Sequence, residues 1–175
     1  MHGLLDVDIT YTRQAIRAYR ARTGAGLSLT AFIIACLGKA IEADKTLHAH
    51  RNWRNQLVLF DEVDVTTIIE TQLEGRSFPL AHIIRAANRR TTQDIDREIQ
   101  AVRDHPESSP SLRQWRGGTW FVRLPAFVRH LVYWVIFRDP RRIKRTVGTV
   151  MVTAVGMFGV GSGWGCQATI IPATR

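Results

Sequence analysis

Three groups of side chains have the types and spacing to do chemistry. His48-x-His50 sets two imidazoles on one side of an extended segment, which is half of a metal site. No third ligand lies near in sequence. Cys36 falls within an apolar helical stripe and reads as a small buried hydrophobe rather than a ligand or nucleophile, so no metal is expected. His82 and His105 stand equally alone. The glycines of residues 156–165 could cradle a phosphate, but no Lys-Ser/Thr pair follows them and no amphipathic helix opens there, so a P-loop is excluded. Residues 113–145 interleave aromatic side chains with nine basic ones against Asp139 alone. Such a patch can face phosphate, an anionic membrane or an acidic partner. Nucleic acid is not expected, because no recognisable reading module accompanies the patch.

The elements that must carry these residues can be read from periodicity and punctuation. The net charge of +9 is local: residues 1–112 balance, and Thr146 to Thr174 carry no charge at all. At 175 residues with average globular composition, the expectation is one domain over 1–175; disorder and a disulfide-built scaffold are excluded. Leu4 to Ile9 reads as a short strand. Thr10 or Thr12 is placed to cap a helix running through Arg22 and stopped by Gly24 and Gly26. Ser28 caps the next helix, with Leu29, Phe32, Ile33, Cys36, Leu37, Ala40 and Ile41 on one stripe. Three strands are expected across residues 56–84, beginning with Leu57 to Phe60. Thr91 or Thr92 starts a helix whose narrow apolar face is Ile95, Ile99 and Val102. Pro106, Pro110 and the serines between them read as a linker.

Residues 120–137 are apolar nearly all round, yet the uncharged run His130 to Phe137 is far shorter than the roughly 20 residues of a membrane span. With Arg138, Arg141, Arg142, Lys144 and Arg145 following, the segment suits a helix lying on an anionic surface. A strand is expected at Thr149 to Val155. No N-terminal basic-then-apolar signal precedes Leu4, and two cysteines allow at most one bridge, so a reducing cytoplasm is the expected location, with membrane association through the basic segment as an addition.

Four local words, taken in order, resemble the catalytic domain of 2-oxo acid dehydrogenase acyltransferases. They are Asp6-Val-Asp8-Ile-Thr10, Ser28-Leu-Thr-Ala-Phe32 running on to Ile41, Ile83-Ile-Arg85-Ala-Ala-Asn88-Arg-Arg-Thr91, and Gly148-Thr-Val-Met-Val-Thr153-Ala-Val-Gly156-Met-Phe-Gly159. The resemblance implies an α/β two-layer sandwich of the chloramphenicol acetyltransferase type, a mixed sheet covered by helices. It implies a homotrimer with active sites between subunits, where coenzyme A and the acyl acceptor enter from opposite sides. It also implies a histidine base in a His-x-x-x-Asp-Gly motif, and a serine or threonine hydroxyl that bonds the tetrahedral oxyanion. Matching the family's Thr-Phe-Thr-Ile-Ser-Asn-Leu-Gly word places that hydroxyl at Thr153.

This sequence departs from the family in three respects. None of its six histidines begins a His-x-x-x-Asp-Gly, so a C-terminally shortened, weakly active or inactive member is expected. It has no lipoyl attachment site. Residues 113–145 form a basic aromatic helical insertion. Acyl transfer between a coenzyme A thioester and a thiol, hydroxyl or amine is therefore the leading expectation. The alternative is a non-catalytic module binding an anionic membrane or a partner through residues 120–145. If the chain were shortened, its strand around Val150 and Val152 is expected to lack a neighbour and expose those residues.

Overall fold

A computed structural model of the chain describes residues 6–73, 76–109, 125–154 and 166–170. The first helix, α1 (Thr10–Thr23), is not capped by Thr10 or Thr12; Thr10 is its first residue and donates its backbone N–H to Asp8 Oδ1 at 2.8 Å. Gly24, at φ 71°, closes it in the left-handed conformation that glycine adopts without cost. Asp6 to Ile9 form no strand, and residues 1–5 lie outside the described residues. Ser28 does cap α2 (Leu29–Ala43), its hydroxyl accepting from Ala31 N at 3.1 Å.

The face that α2 buries differs from expectation. Ala31, Ile34, Gly38 and Ile41 are buried, whereas Cys36 and Ala40 of the expected stripe are exposed. Apart from Thr30, Lys39 and Glu42 the helix is apolar, too broadly for periodicity to select one face; Gly38 does. A Cβ at Gly38 would come within 2.9 Å of Asn88 N, so only this side of the helix can approach the turn Ala87–Arg89 so closely. Asn88 is fully buried there and ties three segments together. Its Oδ1 accepts from Val63 N at 3.0 Å, and its Nδ2 donates to Asp61 O and Glu42 Oε1, each at 3.2 Å.

The strand region begins with a small ribbon, β1 (His50–Arg51) paired antiparallel with β2 (Leu57–Val58). Leu59 and Phe60 lie beyond it, so the expected strand is shorter than its apolar run. The main sheet holds β3 (Val65–Leu73), β4 (Arg76–Ile84), β5 (Val150–Ala154) and β6 (Cys166–Ile170) in the order β4-β3-β5-β6. β3 pairs antiparallel with β4 and parallel with β5, and β5 pairs antiparallel with β6. The sheet is mixed, as expected. β6 was not anticipated, and it corrects the expectation for β5, which is paired on both sides, with Val150 and Val152 fully buried.

Helix α3 (Thr92–Asp104) starts at the anticipated capping box, in which the Thr91 side chain and Asp94 satisfy each other's backbone N–H. Its Ile95, Ile99 and Val102 pack with α2 and the inward residues Val65, Ile69, Leu80, Ile84, Val150 and Val152 into one core. The architecture is an α/β two-layer sandwich with α2 and α3 on one face of the sheet. On the other face Ile68, Ile83, Met151 and Thr153 are half-buried, and Pro79 and Ala81 are exposed. Pro106–Ser108 form a short 3-10 turn with Pro106 and Ser109 buried, so the start of the expected linker is packed; residues 110–124 lie outside the described residues.

The single helix expected across 120–145 is two: α4 (Ala126–Arg138) and α5 (Pro140–Val147). Pro140 lacks the N–H that would continue α4, and the residue before a proline avoids helical angles. Asp139 is accordingly extended and caps α5 by accepting from Arg141 N at 3.0 Å. α5 is stitched to the core. Arg85 donates to Asp64 Oδ2 at 2.8 Å and to the carbonyls of Lys144 and Arg145 at 2.9 and 2.7 Å. Gly148, at φ 79°, makes the turn into β5, and a Cβ there would sit 2.8 Å from Asp64 O. Among the described residues no helix is long and apolar enough to cross a membrane.

Candidate functional site

Thr153 lies on β5 opposite Gln167 of β6, and the alternation of the strand turns it to the face away from the core. It is half-buried, and neither of the two principal cavities includes it. The glycine-rich segment of the same sequence word, residues 156–165, lies outside the described residues.

His48 and His50 are both buried, and each meets the Phe60 ring edge-on, with centroids 6.1 and 5.9 Å away. His48 Nε2 bonds Phe60 O at 3.0 Å, and His48 Nδ1 and His50 Nε2 are buried without a hydrogen-bond partner among the described residues. Burial lowers both pKa values, and for His48 the Phe60 carbonyl opposes the shift while nearby Lys144 and Lys45 add to it; His48 in turn lowers His50. Among the described residues no three His, Cys, Asp or Glu side chains are grouped so as to hold a metal ion.

His82, which the sequence leaves isolated, has partners on both ring nitrogens. Nδ1 meets Ser109 Oγ at 3.0 Å and Nε2 meets Glu98 Oε1 at 2.7 Å, while Arg90 holds the other oxygen of Glu98. Burial acts to raise the Glu98 pKa, but the bonds from His82 and Arg90 outweigh it and hold the carboxyl below its ordinary value. Serine, histidine and glutamate in this order look like a hydrolytic triad. Ser109 is only 1% exposed, however, and neither principal cavity reaches it. The chain of bonds fastens the Pro106–Ser108 turn and α3 to β4.

A cavity of about 650 Å³ opens where the turn 51–56 faces the α4–α5 junction. Asn52 builds that turn. Its Oδ1 accepts from Arg54 N and Gln56 N, both at 2.9 Å, its Nδ2 donates to Gln56 Oε1 at 2.9 Å, and Asn55 takes the left-handed conformation at φ 62°. The turn presents Trp53 and Arg54. Arg138 lies 4.6 Å from the ring centroids of both Trp53 and Trp134, and Arg54 lies 4.7 Å from Trp53. With Arg141 and Arg142 the cavity has four guanidinium groups against Asp139. The sequence reading found the basic segment but missed Trp53 and Arg54. The available signal was the turn chemistry of Asn52 to Gln56, which sits too far along the chain for charge counting to link it to Arg138.

No family model matches the chain, and no curated protein matches it in sequence. Solved structures do. The architecture is similar to acyltransferase catalytic cores of 2-oxo acid dehydrogenase complexes. A truncated catalytic core of the 2-oxoacid dehydrogenase multienzyme complex from Thermoplasma acidophilum is 19% identical, with a TM-score of 0.46 over 59% of this chain and 47% of that one. Dihydrolipoamide acetyltransferase from Azotobacter vinelandii is 15% identical, with a TM-score of 0.48 over 58% and 42%. A probable dihydrolipoamide acetyltransferase from Listeria monocytogenes is 16% identical, with a TM-score of 0.47 over 90% and 53%. This chain spans about half the length of those it matches.

Proposed function

We propose that the chain is an acyltransferase-type domain that moves an acyl group between coenzyme A and a thiol, hydroxyl or amine acceptor. What supports the proposal is a half-buried threonine, Thr153, on a strand paired on both sides, at the position that the Gly148 to Gly159 word matches to the oxyanion donor. Attack of the acceptor on the thioester carbonyl, its proton passing to solvent, forms a tetrahedral oxyanion. Thr153 Oγ1 donates a hydrogen bond to that oxygen, and collapse expels the thiolate of coenzyme A. The site is completed by a second copy in a homotrimer. Two surfaces support that step, α1 with no buried residue and the outer side of α2 with exposed Cys36 and Ala40 beside half-buried Leu29, Phe32 and Ile33.

The 175 residues supply no His-x-x-x-Asp-Gly base, and a general base contributes about 100- to 10,000-fold. Formation of free coenzyme A from acetyl-CoA with dihydrolipoamide as acceptor is therefore expected to run only slightly above the buffer rate. Turnover near the ordinary enzyme median of about 10 per second would show that another residue is the base.

A second reading is favoured by α4, whose Phe127, Leu131, Tyr133, Trp134 and Phe137 are all large and exposed. In this reading the helix binds an anionic membrane, with the arginines of α5 beside it. Replacing Arg138, Arg141, Arg142 and Arg145 with glutamine abolishes sedimentation with anionic vesicles if the reading holds. Indifference to lipid charge would refute it.

A further inference from the structure

The cavity between the turn 51–56 and the α4–α5 junction has no role in either reading as it stands. We propose that it is a headgroup socket, taking the phosphate of an anionic glycerophospholipid while the α4 stripe lies against the acyl region. This rests on the membrane reading of α4 and gives it a specific site.

Charge selects the ligand. Arg54, Arg138 and Arg141 make no ion pair among the described residues, and Arg142 meets only Asp139, at 3.7 Å. The carboxylate of Asp139 is already committed to Arg141 N. The cavity thus offers unspent guanidinium donors, whose forked geometry matches phosphate oxygens. Its volume of about 650 Å³ exceeds a bare phosphate and falls within the span of small-molecule sites, about 300–1,000 Å³.

Geometry then selects a lipid over a soluble phosphate ester. Phe127, Leu131, Trp134 and Arg138 stand at i, i+4, i+7 and i+11, so one stripe of α4 runs from three exposed apolar side chains directly to a cavity arginine. Trp53, 59% exposed, and Trp134, 57% exposed, flank Arg138 where the apolar stripe meets the charged cavity. Indoles favour that boundary between acyl chains and headgroups. The turn is held by the bonds of Asn52 before any ligand arrives, so little ordering is lost on binding.

Co-sedimentation of the full chain with vesicles tests the socket, comparing phosphatidylcholine alone with equal parts phosphatidylcholine and phosphatidylglycerol. Wild type is expected to pellet only with the anionic vesicles. Arg54→Gln, which lies outside the basic segment, is expected to weaken that binding about fivefold, as is Arg141→Gln. Both side chains are exposed, and unchanged thermal melts confirm that the variants fold. If wild type ignores both vesicles, the membrane reading falls and the socket with it. If wild type binds anionic vesicles and Arg54→Gln binds equally well, the socket is wrong and the membrane reading stands. Release from vesicles by millimolar glycerol phosphate, with no help from Phe127, would mark a soluble phosphate ester as the ligand and overturn the lipid assignment.

Discussion

Helices α3 and α4 have the same length, thirteen residues each, and opposite economies of apolar surface. α3 confines Ile95, Ile99 and Val102 to one stripe and buries all three, with charge on its other side. α4 leaves four aromatic residues, Phe127, Tyr133, Trp134 and Phe137, exposed together with Leu131. The first pattern is that of a helix whose partner is its own sheet; the second is that of a helix whose partner is not within the described residues. α5 joins the two regions, since Arg85 and Asp64 fasten it to the core while Arg141 and Arg142 line the cavity.

Mutation separates the two regions most strongly in stability. Ile95→Ala should cost about 2–5 kcal/mol in urea unfolding, because it empties a fully buried site in the shared core. Less than 1 kcal/mol would mean that α3 is not held as described.

A smaller effect is expected at the buried histidines. Their folded pKa values are depressed, so the unfolded chain takes up protons first as pH falls below about 6.5, and stability declines from there toward the folded values. The slope is at most about 1.4 kcal/mol per pH unit for each histidine. Replacing both with phenylalanine should flatten it; an unchanged slope would assign it to other groups.

The smallest expected change sharpens the contrast. Phe127→Ser, at an exposed α4 position, should alter stability by no more than about 0.5 kcal/mol while removing vesicle binding. A loss comparable to that of Ile95→Ala would show that α4 is a core element after all.

The legible parts of the sequence were those where local chemistry decides the structure. Ser28 and Thr91 cap the helices that their types and positions predict, and α3 announces its face because its polar side is unambiguous. α2 hid its face because its apolar residues spread far beyond one stripe, and the deciding residue, Gly38, acts through a backbone approach that no periodicity encodes. The break at Pro140 is written in the sequence but sits inside a longer apolar-basic run that reads as one helix. β6 was missed because its pairing with β5 joins strands across residues 155–165. The candidate site divides likewise. Thr153 came from a sequence word, whereas Trp53 and Arg54 meet Arg138 only through tertiary packing.

The central claim is that the Thr153 hydroxyl stabilises an oxyanion, and chemical rescue tests it most directly. With imidazole added as an external base, acyl transfer from acetyl-CoA to dihydrolipoamide should rise for wild type and for Thr153→Ser. Thr153→Val keeps the shape of the side chain without its hydroxyl and should stay at the buffer rate. Equal rescue of Thr153→Val and wild type would contradict the account.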